Sequence, residues 1–320
     1  MTDRSRTYIS SVMATKTSGS SPDKRRKYDE AFFKFLSLGL LGLVLTQCVP
    51  GDPPVEPGGG TNPGTSTCYL TSATEQLERN GAFTDFIDRR FGYSNGLLVS
   101  ESEQSIVQGF GPVKRKTNYQ LQYQNGLLTQ AVDSLNLIVF EYAPGASSPS
   151  QAVYSRLGRQ RAVYTLTYAA PGRLSGIKET NQVLPLNSLA TERDFTFTYD
   201  GNGNVINERL RLKFSTGNTG ELQTDYTFTN QPSPYQNVPN RVALTVLALA
   251  GEVETFPGEF WHRNTPSGFA VYNVNAAGVR TPNETATLTG QYDATNKLTV
   301  LDQNSSTLRR IRTTFGYQCQ

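Results

Sequence analysis

One histidine, three cysteines, two methionines and one tryptophan among 320 residues leave several common chemistries without material. A single imidazole cannot furnish the usual His-based metal sites and limits His-dependent triads, and three thiols are too few for a zinc ribbon. No Gly-x-Ser-x-Gly elbow, His-Glu-x-x-His pair or phosphate-cradling glycine loop occurs. The sequence therefore implies no metal, no cofactor and no catalytic group of those kinds. Charged residues amount to only 18% and hydrophobic ones to 37%, which excludes a coiled coil or a helical bundle as the natural reading. The apolar stretch Phe35–Leu45 has 11 residues, against about 20 for a helix that crosses a bilayer.

Aromatic residues, in contrast, reach 10%, with 16 Tyr, 16 Phe and 28 Gly, a composition suited to β-sheet. The net charge of +3 is unevenly placed. Of the 30 basic and 27 acidic residues, 8 and 4 lie in residues 1–47, so the remaining chain holds 22 and 23. The basic excess belongs to the N-terminal segment. The rest of the chain has no net positive charge with which to release counterions from a phosphate backbone, which argues against a nucleic-acid partner.

From Cys68 onward one pattern recurs. Tyr119-Gln120-Leu121-Gln122-Tyr123 runs through Asn125-Gly126 into Leu127-Leu128. Tyr164-Thr165-Leu166-Thr167-Tyr168 passes Pro171-Gly172, and Phe195-Thr196-Phe197-Thr198-Tyr199 passes Asp200–Asn204. Tyr93-Ser94-Asn95-Gly96-Leu97-Leu98 is a shorter copy, and Leu288–Val300 another. Residues two apart share a strand face, so each copy places Tyr, Phe or Leu on one side and Thr or Gln on the other. Asn-Gly supplies the positive φ values of a type I′ hairpin turn. The expectation is an all-β, antiparallel meander of aromatic hairpins forming a β-sandwich or a curved, half-open sheet. The aromatic side is expected to be core and the Thr side wet. Thr71–Arg90, with Leu77, Phe83, Phe86 and Ile87, suggests one short helix; Ala143–Ser150, Gln231–Asn240 and the basic Lys114-Arg115-Lys116 read as loops.

The N-terminal segment reads as export machinery. Lys24-Arg25-Arg26-Lys27 and Lys34 precede Phe35–Leu45, in the order of a signal peptide. A second start at Met13 would shorten it. Leu45-Thr46-Gln47-Cys48 resembles the lipobox of bacterial lipoproteins, with Gln47 where a small residue is usual; the resemblance implies acylation of Cys48 and membrane attachment through acyl chains. Residues 49–67, rich in Pro and Gly, form no regular element and would span about 25 Å as a coil or at most ~60 Å extended. The organisation expected is a signal peptide over 1–47, a lipidated Cys with its tether over 48–67, and one antiparallel β domain over 68–320. Cys68 and Cys319 bracket that domain, and in an oxidising compartment they are expected to pair.

Two further resemblances attach to these residues. Tyr199-Asp200-Gly201-Asn202-Gly203-Asn204-Val205 is similar to the tyrosine–aspartate repeat of secreted bacterial shell proteins. The combination of lipobox, tether, Tyr-x-Tyr…Asn-Gly hairpins and the Pro loop Tyr226–Tyr235 resembles uncharacterised lipoproteins of the Bacteroidota. This implies an exported, outer-membrane-anchored lipoprotein and no particular reaction; the partner expected for such a domain is an envelope protein or a glycan.

Few groups are arranged for chemistry. Asp200-x-Asn202-x-Asn204 opens like a calcium loop, but Val205 stands where the turn wants Gly and Arg211 where a bidentate Glu is needed. Glu252, Glu254 and Glu259 lie close to Trp261 and His262. Two carboxylates with an aromatic platform is the vocabulary of glycan binding or glycoside hydrolysis, so Glu252 and Glu259 are the candidate acid and base, and Trp261 and His262 the candidate ligand contacts. The sequence reading is a lipid-anchored, non-enzymatic binding or scaffolding domain. The alternatives are a carbohydrate-active module and a carrier of hydrophobic ligands.

Overall fold

The alternating runs form strands and their glycine-bearing junctions form turns. The computed structural model describes residues 68–319 apart from 80, 108–112, 185–189, 252–255 and 308–309; the leader over 1–47, Cys48 and the tether lie outside these residues. The strands are β1 (Cys68–Arg79), β2 (Ala82–Ser94), β3 (Leu97–Val107), β4 (Val113–Gln124), β5 (Leu127–Val132), β6 (Asn136–Glu141), β7 (Gln151–Arg156) and β8 (Arg159–Ala170). They continue as β9 (Arg173–Asn181), β10 (Ala190–Tyr199), β11 (Val205–Phe214), β12 (Thr219–Pro232), β13 (Asn264–Val274), β14 (Arg280–Tyr292), β15 (Leu298–Ser305) and β16 (Arg310–Cys319). Each is antiparallel to the next, and β16 returns to pair with β1, so the sheet closes into a barrel.

Closure overturns the sandwich and the half-open sheet. The first and last strands pair in register from Cys68↔Cys319 to Leu77↔Ile311, which removes the two free edges that an open sheet would present. The Cys68–Cys319 disulfide joins residues 251 apart at the end of this seam, across a Cα–Cα distance of 3.9 Å. The helix expected over Thr71–Arg90 is also corrected: these residues form most of the β1–β2 hairpin, whose turn has Gly81 at φ 80°. Lys114-Arg115-Lys116 belongs to β4 rather than to a loop. Ala143–Ser150 is a loop, whereas Gln231 and Pro232 still belong to β12.

Turn chemistry follows the residues closely. Asn95-Gly96 has φ 50° and 74°, and Asn125-Gly126 has 52° and 76°, the pair of left-handed residues that a type I′ turn requires. In an up-and-down barrel alternate connections lie at opposite rims. The near rim holds both cysteines and the β2–β3, β4–β5, β6–β7, β8–β9, β10–β11, β12–β13 and β14–β15 connections; the far rim holds the others.

The β12–β13 connection is long and folds back into the barrel as a plug. Its neck closes where the Ser233 N–H donates to the Arg263 carbonyl at 2.9 Å. Asn204 Oδ1, in the β10–β11 turn, accepts from the N–H groups of Arg263 and Asn264 at 3.0 and 2.7 Å. Within the plug, α1 (Arg241–Ala250) is buried from Val242 to Ala250. Its Ala, Leu and Val residues meet the apolar wall all round, and a helix satisfies its own backbone groups where little water is at hand. A 3-10 turn, Pro257–Trp261, brings the chain back.

Candidate functional site in the lumen

The sheet has two unlike faces. Outward lie Gln120, Gln122, Thr165, Thr167, Asp194, Thr196 and Thr198, all exposed. Ion pairs run across this face: Glu192 between Lys178 and Lys213 at 3.4 and 2.7 Å, Glu221 with Arg209 and Arg211 at 2.6 and 3.0 Å, Arg312 with Asp302 at 2.7 Å, and Arg310 with Glu78 at 2.9 Å. Inward lie Tyr119, Tyr164, Phe195, Leu210 and their neighbours, forming one apolar cluster with α1. A barrel that crosses a bilayer shows the reverse, an outward apolar band about 25 Å tall with a polar interior.

The near rim is stapled by tyrosines. Tyr93, Tyr123, Tyr142, Tyr168, Tyr199 and Tyr317 donate their hydroxyls to the carbonyls of Leu70, Leu98, Leu128, Pro149, Leu174 and Leu298, at 2.6–2.9 Å. Burial raises the pKa of each, which keeps them as donors at neutral pH. The Tyr that precedes five of these near-rim turns, from Tyr93 to Tyr199, is thus a corner fastener.

Charged side chains are nevertheless enclosed. Arg89 on β2 is buried; its Nε donates to Glu103 at 3.0 Å, and its Nη1 to Glu75 at 3.3 Å and to Glu259 of the plug at 3.5 Å. The guanidinium carbon stands 5.6 Å from the Phe260 ring centroid. The carboxylates and burial act oppositely on Arg89, and its pKa rises. Glu101 lies beside this group, and burial, with the charge of Glu103, pushes it up to about 8. Arg193 and Glu179 form a second buried pair at 2.6 Å. Glu208 accepts from the Tyr226 hydroxyl at 3.1 Å and from the Gly258 N–H at 3.3 Å. A Cβ on Gly258 would come within 2.6 Å of the Glu208 carboxylate, so only glycine lets the plug approach this closely.

The sequence candidates fall on the plug or outside the described residues. Glu252 and Glu254 lie outside them. Glu259 is engaged with Arg89. Trp261 is buried, with its indole N–H donating to Thr245 Oγ1 at 2.9 Å and the Arg241 guanidinium 5.0 Å over its ring; it offers no open platform to a sugar. His262 is buried edge-on to Tyr226 and Phe228, at 4.7 and 4.9 Å between centroids. Neither of its ring nitrogens has a hydrogen-bond partner among the described residues, and burial lowers its pKa to about 3. Glu259, Trp261 and His262 thus sit close in sequence but serve three separate contacts. The Asp200 carboxylate closes its own turn by accepting from the N–H groups of Asn202 and Asn204. Arg89 and Arg193 carry no sequence signal beyond a charge at an inward strand position.

The lumen is filled unevenly. The register places Leu288, Leu301, Gln303, Ile311, Thr313 and Phe315 on the same inward face as Glu75 and Leu77. They remain part-exposed, while inward residues of β4–β11 such as Leu174, Phe195 and Leu210 are fully buried. The backbone geometry is the same on both sides, so the difference arises from side chains that face water inside the barrel. At the C-terminal end of α1, by contrast, a gap of about 10 Å³ lined by Tyr164, Glu179, Leu249 and Ala250 has room for roughly one water. The candidate binding region is the wet side, between the plug and β14–β16.

No family model and no curated protein matches this chain. Among solved structures it is similar to a porin-like protein from Bacteroides uniformis, at 10% identity over 78% of this chain and 96% of that one, with a TM-score of 0.47. A porin-like protein from Bacteroides vulgatus is similar at 9% identity over 79% and 99% of the two chains, with a TM-score of 0.42.

Proposed function

We propose that this protein is a lipid-anchored β-barrel of the bacterial cell envelope that stands in water beside its membrane, binds through its lumen and rims, and carries out no catalysis. The observation that carries the reading is the polarity of the sheet. Lys178, Glu192, Arg211, Lys213 and Glu221 line the outer face, and aromatic and aliphatic side chains line the inner one. Lysine or arginine on a lipid-facing strand costs about 2–4 kcal/mol at the bilayer midplane, so repeated pairs there would oppose insertion. Attachment then falls to acyl chains on Cys48. The disulfide at the seam fits an oxidising compartment. A non-catalytic role is supported by the way the plug's acidic, indole and imidazole groups are engaged or enclosed rather than gathered around one space.

The test is a protease site inserted after Gly60 of the full chain, in membranes prepared from cells that express it. Cutting followed by a high-salt, alkaline-carbonate wash, which strips proteins held only at the membrane surface, is expected to release the barrel into the soluble fraction, while an acyl mass stays on the peptide that begins at Cys48. A barrel that remains in the membrane after complete cutting and that wash would contradict the reading.

A further inference from the structure

The turns of the two rims expose different side chains. Leu135, Leu157, Val183, Leu184 and Val279 are among the few large hydrophobic residues exposed in the described chain, and all lie in far-rim connections. The first four form a row. The Leu157 N–H donates to the Leu135 carbonyl at 2.7 Å, and the Gln182 N–H to the Arg161 carbonyl at 2.7 Å, so the β5–β6, β7–β8 and β9–β10 turns stand side by side.

Leu157 is held there against its backbone preference. Five described non-glycine residues have positive φ; four are Asn95, Asn125, Asn240 and Asn296, and the fifth is Leu157 at 52°. Asparagine tolerates the left-handed region through its short polar side chain, whereas a leucine there is strained. Packing does not repay it, because Leu157 is 71% exposed. An exposed apolar side chain in a strained turn points to a contact outside the molecule.

The flanking charge identifies the contact. In Arg156-Leu157-Gly158-Arg159 two arginines flank this leucine, and neither pairs with a carboxylate among the described residues; Arg161, further along β8, lines the gap beside Glu179 instead. Asp133, in the neighbouring turn, is occupied: its Oδ1 accepts from the N–H groups of Leu135 and Asn136, and its Oδ2 from the Asn136 side chain. Apolar turn tips collared by unpaired arginines match a lipid surface, with acyl chains beneath and phosphates at the level of the guanidinium groups.

We infer that the far rim docks on a bilayer containing anionic phospholipid, with Leu135, Leu157, Val183 and Leu184 at the acyl boundary and Arg156 and Arg159 on the phosphates. The geometry suits the proposed anchor. The barrel's strands of about a dozen residues reach at most roughly 40 Å, and residues 49–67 extend to ~60 Å, so the far rim is able to meet the same membrane that holds Cys48. The docking itself does not rest on that anchor.

The test uses residues 68–320, which close one barrel around their own core, with the disulfide formed. The protein is floated with vesicles of phosphatidylcholine alone, or of phosphatidylcholine mixed with phosphatidylglycerol. Flotation is expected to be at least about ten-fold stronger with the anionic vesicles. Leu157→Asp should abolish it, and Arg159→Gln should weaken it about five-fold. Leu157→Asn, which suits the turn, should keep the fold and still lose flotation. Absent binding to anionic vesicles, or equal binding by wild type and both Leu157 variants, would overturn the proposal, and a protein partner for this rim would then be the better reading.

Discussion

The two sides of the barrel wall share one sheet and one alternation, yet only one of them is a core. On β4–β11, inward residues such as Tyr119, Tyr164, Leu174, Phe195 and Leu210 are closed off from water. On β14–β16, Leu288, Leu301, Ile311 and Phe315 face the same lumen and stay part-exposed. Strand periodicity decides which side chains point inward, but only a second layer removes them from water. Here that layer is the plug. It lies along the first wall through α1 and meets the second at points such as Tyr235, whose ring is edge-on to Phe315 at 6.4 Å. Stability should therefore concentrate in the packed wall, and adaptability in the wet one.

The largest effect expected is at the seam of the wet wall. Replacing Cys68 and Cys319 together by Ala opens a loop of 251 residues, which the chain-entropy relation puts at about 5 kcal/mol of lost stability; denaturant titration measures it. A change near zero would mean that strand pairing alone holds β1 to β16.

Next comes the packed wall. Arg193→Ala removes the guanidinium that faces Glu179 in the interior and should cost about 3–5 kcal/mol, whereas Arg312→Ala, on the outer face of β16, should cost under about 1 kcal/mol. Leu210→Ala is expected to lose about 2–5 kcal/mol and Leu301→Ala roughly half of that or less, since Leu301 is already part-wet. Equal losses at 210 and 301 would abolish the distinction between the walls.

The last effect is a dependence on pH. The folded-state pKa of His262, about 3, lies below the unfolded value of about 6.5. Its neutral form is therefore favoured by folding, and stability falls by up to about 1.4 kcal/mol per unit as pH drops from 6.5 towards 3. Glu101 acts in the other direction: raised to about 8, it contributes fully below pH 4.5 and loses that contribution as pH rises through 8. The stability profile of His262→Phe should be flatter between pH 3 and 6.5, and that of Glu101→Gln flatter between pH 4.5 and 8; parallel shifts without a change of slope would contradict the assignment.

Much of the strand order was legible, because each hairpin states itself locally in residues such as Tyr123-Gln124-Asn125-Gly126-Leu127. What was not legible depends on partners far apart in the chain. Nothing in the period of Leu70 or Tyr317 tells which edge each strand will meet, although two cysteines expected to pair were the trace of it. The helix was hidden because Val242–Ala250 is apolar on all sides and shows no wet stripe. The misread helix over Thr71–Arg90 contains Asn80-Gly81, the same turn signal recognised at Asn95 and Asn125. At the candidate site, Trp261 and His262 were visible as rare residues, but their burial follows from the plug's fold. Arg89 and Arg193 gave no local sign of standing inside a barrel.

The central claim is that the outer face of the barrel belongs in water. Sedimentation velocity of oxidised residues 68–320 in buffer without detergent tests it most directly. The account predicts a single, compact species whose sedimentation is unchanged when detergent is added, beyond the solvent's own density and viscosity. Aggregation relieved by detergent, with a micelle bound around the barrel, would contradict it and place these strands in lipid.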